Sequence, residues 1–220
     1  MTDTPVLDIP PVVDGAAGQG TVATNGFRRM EVLIAGRVQD RQLTSPPGSP
    51  AEGDAYIVGG SATGDWAGKD NDVAYLAGGV WKFITPVVGM RMWCEGNGTL
   101  EAAELTWTGT VWAARGGRQI LTDGANIDWD MSLATVAQVT LGGNRTMNAP
   151  TNIPPYGWEL KLAVIQDGTG SRTLTFPATY RRANGGSLTL STGASDIDII
   201  TFMSYGSAVF ETSRSLNVSP

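Results

Sequence analysis

The stretch Val164-Ile-Gln-Asp-Gly-Thr-Gly-Ser-Arg-Thr-Leu-Thr-Phe176 commits this chain to β structure. Two alternating apolar runs flank Asp167-Gly168-Thr169-Gly170. Asp and Gly accept the positive φ of tight turns, so the expectation is a β-hairpin. Val139-Thr-Leu-Gly-Gly-Asn-Arg-Thr-Met147 before it and Asp196-Ile-Asp-Ile-Ile-Thr-Phe202 after it are strand-like too. In the latter, Asp196 and Asp198 alternate with Ile197 and Ile199, which places the carboxylates on the outer face of a strand.

Composition agrees with many short strands. Among 220 residues, 29 are Gly and only 16% are charged. Glycine supplies turn positions, and disorder would need fewer apolar residues and more net charge. The net charge is −6, and Arg28-Arg29 and Arg181-Arg182 are isolated pairs without a basic block. Nucleic acid is therefore not an expected partner. The single cysteine, Cys94, rules out an intrachain disulfide and reads as a small buried hydrophobe in the run Val87–Cys94. Histidine is absent, which removes Ser-His-Asp and Cys-His catalysis and His-ligated zinc but leaves a carboxylate pair open. Residues 1–10 lack a basic and an apolar leader region, and no apolar run reaches membrane-spanning length. No membrane association is expected.

Residues 1–24, rich in Pro, Gly, Ala and Val, suit an extended N-terminal arm. Asn25 is a good N-cap for a short helix that carries Phe27, Met30, Leu33 and Ile34 at helical spacing and stops at Gly36. The Pro-rich connector Leu43–Asp54 must be loop. A Trp-rich antiparallel β module completes residues 25–114. Its strands are expected at Ala55–Val58, Asp72–Leu76, Val80–Ile84, Gly89–Cys94, Glu104–Trp107 and Thr110–Ala113. Two of the pairs read as hairpins across Gly78-Gly79 and Thr108-Gly109. Residues 115–119, Arg-Gly-Gly-Arg-Gln, suggest a hinge. A C-terminal β domain over 120–220, sandwich or jelly-roll-like, follows with strands at Val136–Leu141, Trp158–Gln166, Arg172–Phe176, Ser187–Leu190, Ile197–Met203 and Ala208–Glu211. The expected fold class is mainly β.

Seven tryptophans are many for this length. Trp66, Trp81 and Trp112, with Trp107, sit near turns where flat rings could stack on saccharide C–H faces, as aromatics anchor other interfaces. Trp66 is the foremost candidate, set among polar loop residues. Against this, a Trp at alternating strand positions is more often core. Asp65, Asp70, Asn71 and Asp72 are hard oxygen ligands in one loop, but their spacing does not fit an EF-hand. Asp123, Asp128 and Asp130 pose the same question. Turn formation is favoured for both clusters, and no metal or cofactor is expected.

The three strand-like segments of the C-terminal half together resemble the C-terminal β domains of bacteriophage fibre and spike proteins. Residues 25–114 carry Phe27-Arg-Arg-Met-Glu-Val-Leu33, Asp40-Arg-Gln-Leu-Thr-Ser-Pro-Pro-Gly-Ser-Pro50, Glu52-Gly-Asp-Ala-Tyr-Ile-Val58, Gly64-Asp-Trp-Ala-Gly68 and Gly79-Val-Trp81. This series resembles a domain of uncharacterised function carried by tail- or head-fibre proteins of phages and gene transfer agents of α-proteobacteria. The resemblance implies a non-enzymatic virion structural protein made in the host bacterial cytoplasm. It implies a homotrimer that contacts other virion proteins of tail or capsid and takes part in host adhesion. Phe27, Met30, Leu33 and Ile34 are candidates for particle attachment. Trp66, Trp81 and Trp112 are candidates for contacts to host-surface glycans, should the chain be a carbohydrate-binding module for capsule or lipopolysaccharide. A capsid-mounted head fibre is a further alternative. Since the chain ends soon after the β domain, a connector or short fibre is expected. Depolymerising tailspikes with paired carboxylates are long parallel β-helices, and no rung repeat is visible here.

Overall fold

The computed structural model describes residues 17–97, 100–182 and 188–218. The fold is mainly β, as expected, with one α-helix among the described residues. It divides into two compact units, Met1–Asn97 with Glu104–Thr110, and Gly98–Ala103 with Val111–Pro220. No helix among the described residues is long and apolar enough to cross a membrane.

The first unit opens with helix α1, Gln19–Ala35. It begins six residues before Asn25, so part of the segment read as an arm is helical, while residues 1–16 lie outside the described residues. The prolines that argued against a helix all precede residue 12. From there, half-buried Val22 starts a face that continues through Gly26, Arg29, Val32 and Leu33. Arg29 donates to the Phe83 carbonyl at 3.4 Å, and Arg28 pairs with Glu52 at 3.7 Å. The stop comes where the sequence placed it: Gly36, at φ 59°, returns its N–H to the Val32 carbonyl.

Strand β1 (Arg37–Val38) leaves the helix. β2 (Ala55–Ile57), β3 (Val73–Leu76) and β4 (Trp81–Ile84) form an antiparallel sheet in that order. The hairpin expected across Gly78-Gly79 is present, with Leu76 opposite Trp81. The Glu52 carboxylate accepts both turn N–H groups, which holds its pKa below the usual carboxylate range. β5 (Arg91–Cys94) runs parallel to β1 and lies beside β6 (Ala103–Trp107). Cys94 is buried, and burial pushes its thiol pKa up, so it is an unreactive core residue as expected.

The second unit contains β7 (Trp112–Arg115), β8 (Arg118–Ile120), β9 (Asn126–Ile127), β10 (Val136–Leu141), β11 (Arg145–Met147), β12 (Glu159–Gln166), β13 (Leu174–Thr175), β14 (Tyr180–Arg181), β15 (Ile197–Tyr205) and β16 (Ala208–Ser215). One sheet has the order β14-β16-β15-β12-β10-β8, and the other β13-β11-β9. Both contribute to a single core, with Ala137, Val139, Leu162, Val164, Ile200 and Phe202 from the large sheet and Ile127, Met147 and Leu174 from the small one. The unit is therefore sandwich-like. The segment 115–119, read as a hinge, instead runs into β8, which pairs parallel with β10.

Several expectations fail here. The hairpin across Asp167–Gly170 does not form. β12 is already paired on both edges, parallel to β10 and antiparallel to β15, so the returning chain finds no free edge. It crosses to the other sheet, where β13 pairs parallel with β11. Secondly, the chain alternates between the sheets as β8-β9, β10-β11 and β12-β13, with parallel pairing in each. These are three short coils of a kind the sequence did not display, because the small-sheet strands are only two or three residues long. Thirdly, Asp198 faces inward at 1% exposure, while Ile197 and Ile199 are only partly covered. The Asp198 carboxylate accepts from the backbone N–H and hydroxyl of Ser191, both at 2.7 Å, and from the Asn217 N–H at 2.9 Å. The strand expected at Ser187–Leu190 is absent for residues 188–190, and Ser187 lies outside the described residues.

Candidate functional site

The tryptophans nominated from the sequence belong mainly to the interior. Trp66, in a single 3₁₀ turn Gly64–Trp66, is 0% exposed. Its ring meets Trp81 edge-on at 5.1 Å and Tyr56 at 5.7 Å, so its faces are spent on packing. Trp112 is buried and Trp81 is half-buried in the same sense as Phe83. Trp66 and Trp112 therefore offer no plane to a saccharide. The polar loop around Trp66 misled because the ring turns inward from it onto Tyr56 and Trp81.

The acidic clusters are spent on local structure. Asp70 accepts the Ala62 and Ser61 N–H groups, both at 2.9 Å, which lower its pKa, whereas burial raises that of Asp72. Asp123 forms a fork with Arg145 at 2.9 and 2.7 Å. Asp128 holds Asn148, and Asp130 holds Ser132 and Asn152. Among the described residues, no group of three or more His, Cys, Asp and Glu is placed to hold a metal ion.

On α1, Phe27 is 66% and Ile34 84% exposed, while Met30 and Leu33 are half-buried. Phe27 and Ile34 are seven residues apart and so share one face, turned away from buried Val32. The four residues nominated for attachment thus split. Phe27 and Ile34 present a free apolar stripe, and Leu33 flanks the docked side.

A different constellation emerges in the second unit. The turn before β12 and the β15–β16 turn bring Tyr156, Trp158, Tyr205 and Phe210 to the surface. Tyr156 is 67% exposed and meets Tyr205 edge-on at 4.9 Å, and Tyr205 meets Phe210 at 5.5 Å. Beside them lies an open groove of about 400 Å³ lined by Arg115, Gly116, Thr135, Tyr156, Gly157, Trp158 and Glu159. The Arg115 guanidinium sits over the Trp158 ring, 4.3 Å from its centroid. The sequence signal for this site was Tyr156-Gly157-Trp158, two aromatics around a glycine at the entrance to β12, which pairs parallel with β10. The hairpin-like segments around Trp81 and Trp107 carry the stronger aromatic pattern and mask it.

Residues 24–113 match a family described as "Protein of unknown function (DUF2793)", and residues 116–208 match a family described as "Putative phage tail fibre C-terminal domain". No curated protein and no solved structure matches the chain. The two-sheet unit is thus, over residues 116–208, similar to a phage tail fibre C-terminal domain.

Proposed function

We propose that this chain is a non-enzymatic structural subunit of a tail fibre in a tailed phage or phage-like particle. It assembles as a homotrimer, attaches to the particle through its N-terminal region and contributes to host-surface adhesion. The observation that carries this reading is the similarity of residues 116–208 to a tail fibre C-terminal domain. The exposed stripe of Phe27 and Ile34 supports the attachment role, because an apolar helix face in water is a candidate for a partner. The outward Ile197, Ile199 and Met203 of β15 support assembly in the same way. The test is to isolate particles and locate the chain by labelled electron microscopy, alongside the native mass of the purified protein. A trimer placed on the tail supports the reading. A monomer absent from particles overturns it, and labelling at the capsid would move the attachment point to the head.

A further inference from the structure

We propose that the groove between Arg115–Thr135 and Tyr156–Trp158 binds a saccharide carrying an isolated anionic group, a carboxylate or a phosphate. This deepens the adhesion role proposed above and rests on it.

The aromatic wall is held rigid by one buried residue. Ser204 accepts the Trp158 N–H on its hydroxyl at 3.0 Å, donates that hydroxyl to the Pro155 carbonyl at 2.6 Å and donates its own N–H to the Trp158 carbonyl at 2.9 Å. Its carbonyl accepts the Gly157 N–H at 3.0 Å. Four hydrogen bonds thus fix the turn that presents Tyr156 and Trp158. The facing wall is fixed by the reciprocal pair Gly116 N–H to Thr135 Oγ1 at 3.1 Å and Thr135 N–H to Gly116 carbonyl at 3.3 Å. A ligand entering such a groove orders little of the protein, which is where much of the cost of binding usually falls.

The chemistry of the lining selects the ligand. Tyr156 stands mostly in water although it is clamped against Tyr205. An aromatic plane held in water suits the C–H face of a sugar ring. Arg118, Arg145, Arg172 and Arg214 of this unit each hold a carboxylate. Arg115 is stacked on Trp158 and forms no ion pair within 4.0 Å among the described residues. Stacking positions the guanidinium while leaving its N–H fork for an anion. The other charged lining residue, Glu159, is engaged by Lys161 at 3.0 Å. The chain's net charge of −6 opposes dense polyanions at long range. Recognition therefore favours sparsely charged saccharides over nucleic acid or heavily sulfated glycans.

The experiment titrates the full chain with a methyl glucuronide, mannose 6-phosphate and maltotriose, followed by Trp fluorescence and by NMR. The expected result is saturable binding of one or both anionic probes, weakened at least tenfold by Arg115→Gln, with maltotriose binding weak and indifferent to that change. Tyr156→Ala should weaken every sugar that binds. The preferred anionic probe distinguishes a carboxylate from a phosphate source. Absence of binding by all three probes overturns the proposal, as does equal binding by wild type and Arg115→Gln. A fall in native mass with Tyr156→Ala also overturns it, since the aromatics would then be a contact between copies. Particle incorporation is scored separately. A chain that enters particles but binds no probe ends this inference alone, whereas a chain missing from particles ends the fibre reading itself.

Discussion

Asp167 collects four hydrogen bonds on one carboxylate: Arg172 Nε and Nη2 at 3.0 and 2.8 Å, and the Thr169 and Gly170 N–H groups at 2.9 Å each. The Arg172 side chain does most to bring its pKa down to about 2. A depressed carboxylate pKa contributes stability that is present above the unfolded value of about 3.9 and fades as pH falls through the folded value. Asp167→Asn should therefore melt earlier than wild type at neutral pH. The gap between the two thermal curves should close as pH drops from about 4 towards 2. A pH-independent gap would separate the effect from charge. Gly170 beside it is at φ 73°, and any side chain there would press on the Thr192 carbonyl. The local sequence that looked like a hairpin turn is in fact a clamp between two loops. At Trp66 the residue scale carries a different expectation. Trp66→Ala empties a fully buried site and should cost about 3–5 kcal/mol in denaturant unfolding. It should leave saccharide binding by the folded fraction unchanged, because the ring meets Tyr56 and Trp81 and no solvent.

At the scale of elements, α1 shows what periodicity can and cannot say. Phe27, Met30, Leu33 and Ile34 were legible as a helical set, and Gly36 as its end. Which face would dock was not legible, because both faces carry apolar side chains. The fold settled it by burying Val32. Phe27→Ala with Ile34→Lys should therefore change unfolding free energy by no more than about 0.5 kcal/mol per site. The same pair should reduce incorporation into particles if the stripe is the attachment surface, measured by quantitative blotting of purified particles. On β15 the alternation was legible but its sense was inverted, because loops at Ser191 and Asn217 supply donors to Asp198 from the core side. Asp198→Ala should cost roughly 2–3 kcal/mol, the scale for losing hydrogen bonds to a charged acceptor, read from chemical denaturation. Asp198→Asn should recover part of it, since one amide oxygen still accepts.

For the whole molecule, the strands of the C-terminal half were found mostly at their expected positions: Val136–Leu141 coincides with β10, and β12, β15 and β16 overlap their forecasts closely. Their partners were not foreseeable. Parallel pairing between β8, β10 and β12 links segments 18 to 25 residues apart through Val136↔Arg118 and Val136↔Lys161, with no local turn to announce it. The same topology creates the candidate groove, since Arg115 and Gly116, Thr135, and Tyr156 to Trp158 come from three separate stretches of chain. Native mass at micromolar concentration tests the trimer reading on the intact chain. The expected outcome is a mass of three chains that falls when outward Ile199 of β15 is replaced by Lys.

The sequence by itself determined the class of structure. Alternating apolar residues, plentiful glycine and few charges leave short strands as the way to bury a core, and the arrangement of motifs along the chain pointed to phage fibre families. The tertiary structure decided which edges pair, which side of β15 faces inward, and which aromatics reach water. Those outcomes depend on groups far apart in the chain competing for the same strand edges and the same buried volume, and local pattern carries no information about that competition.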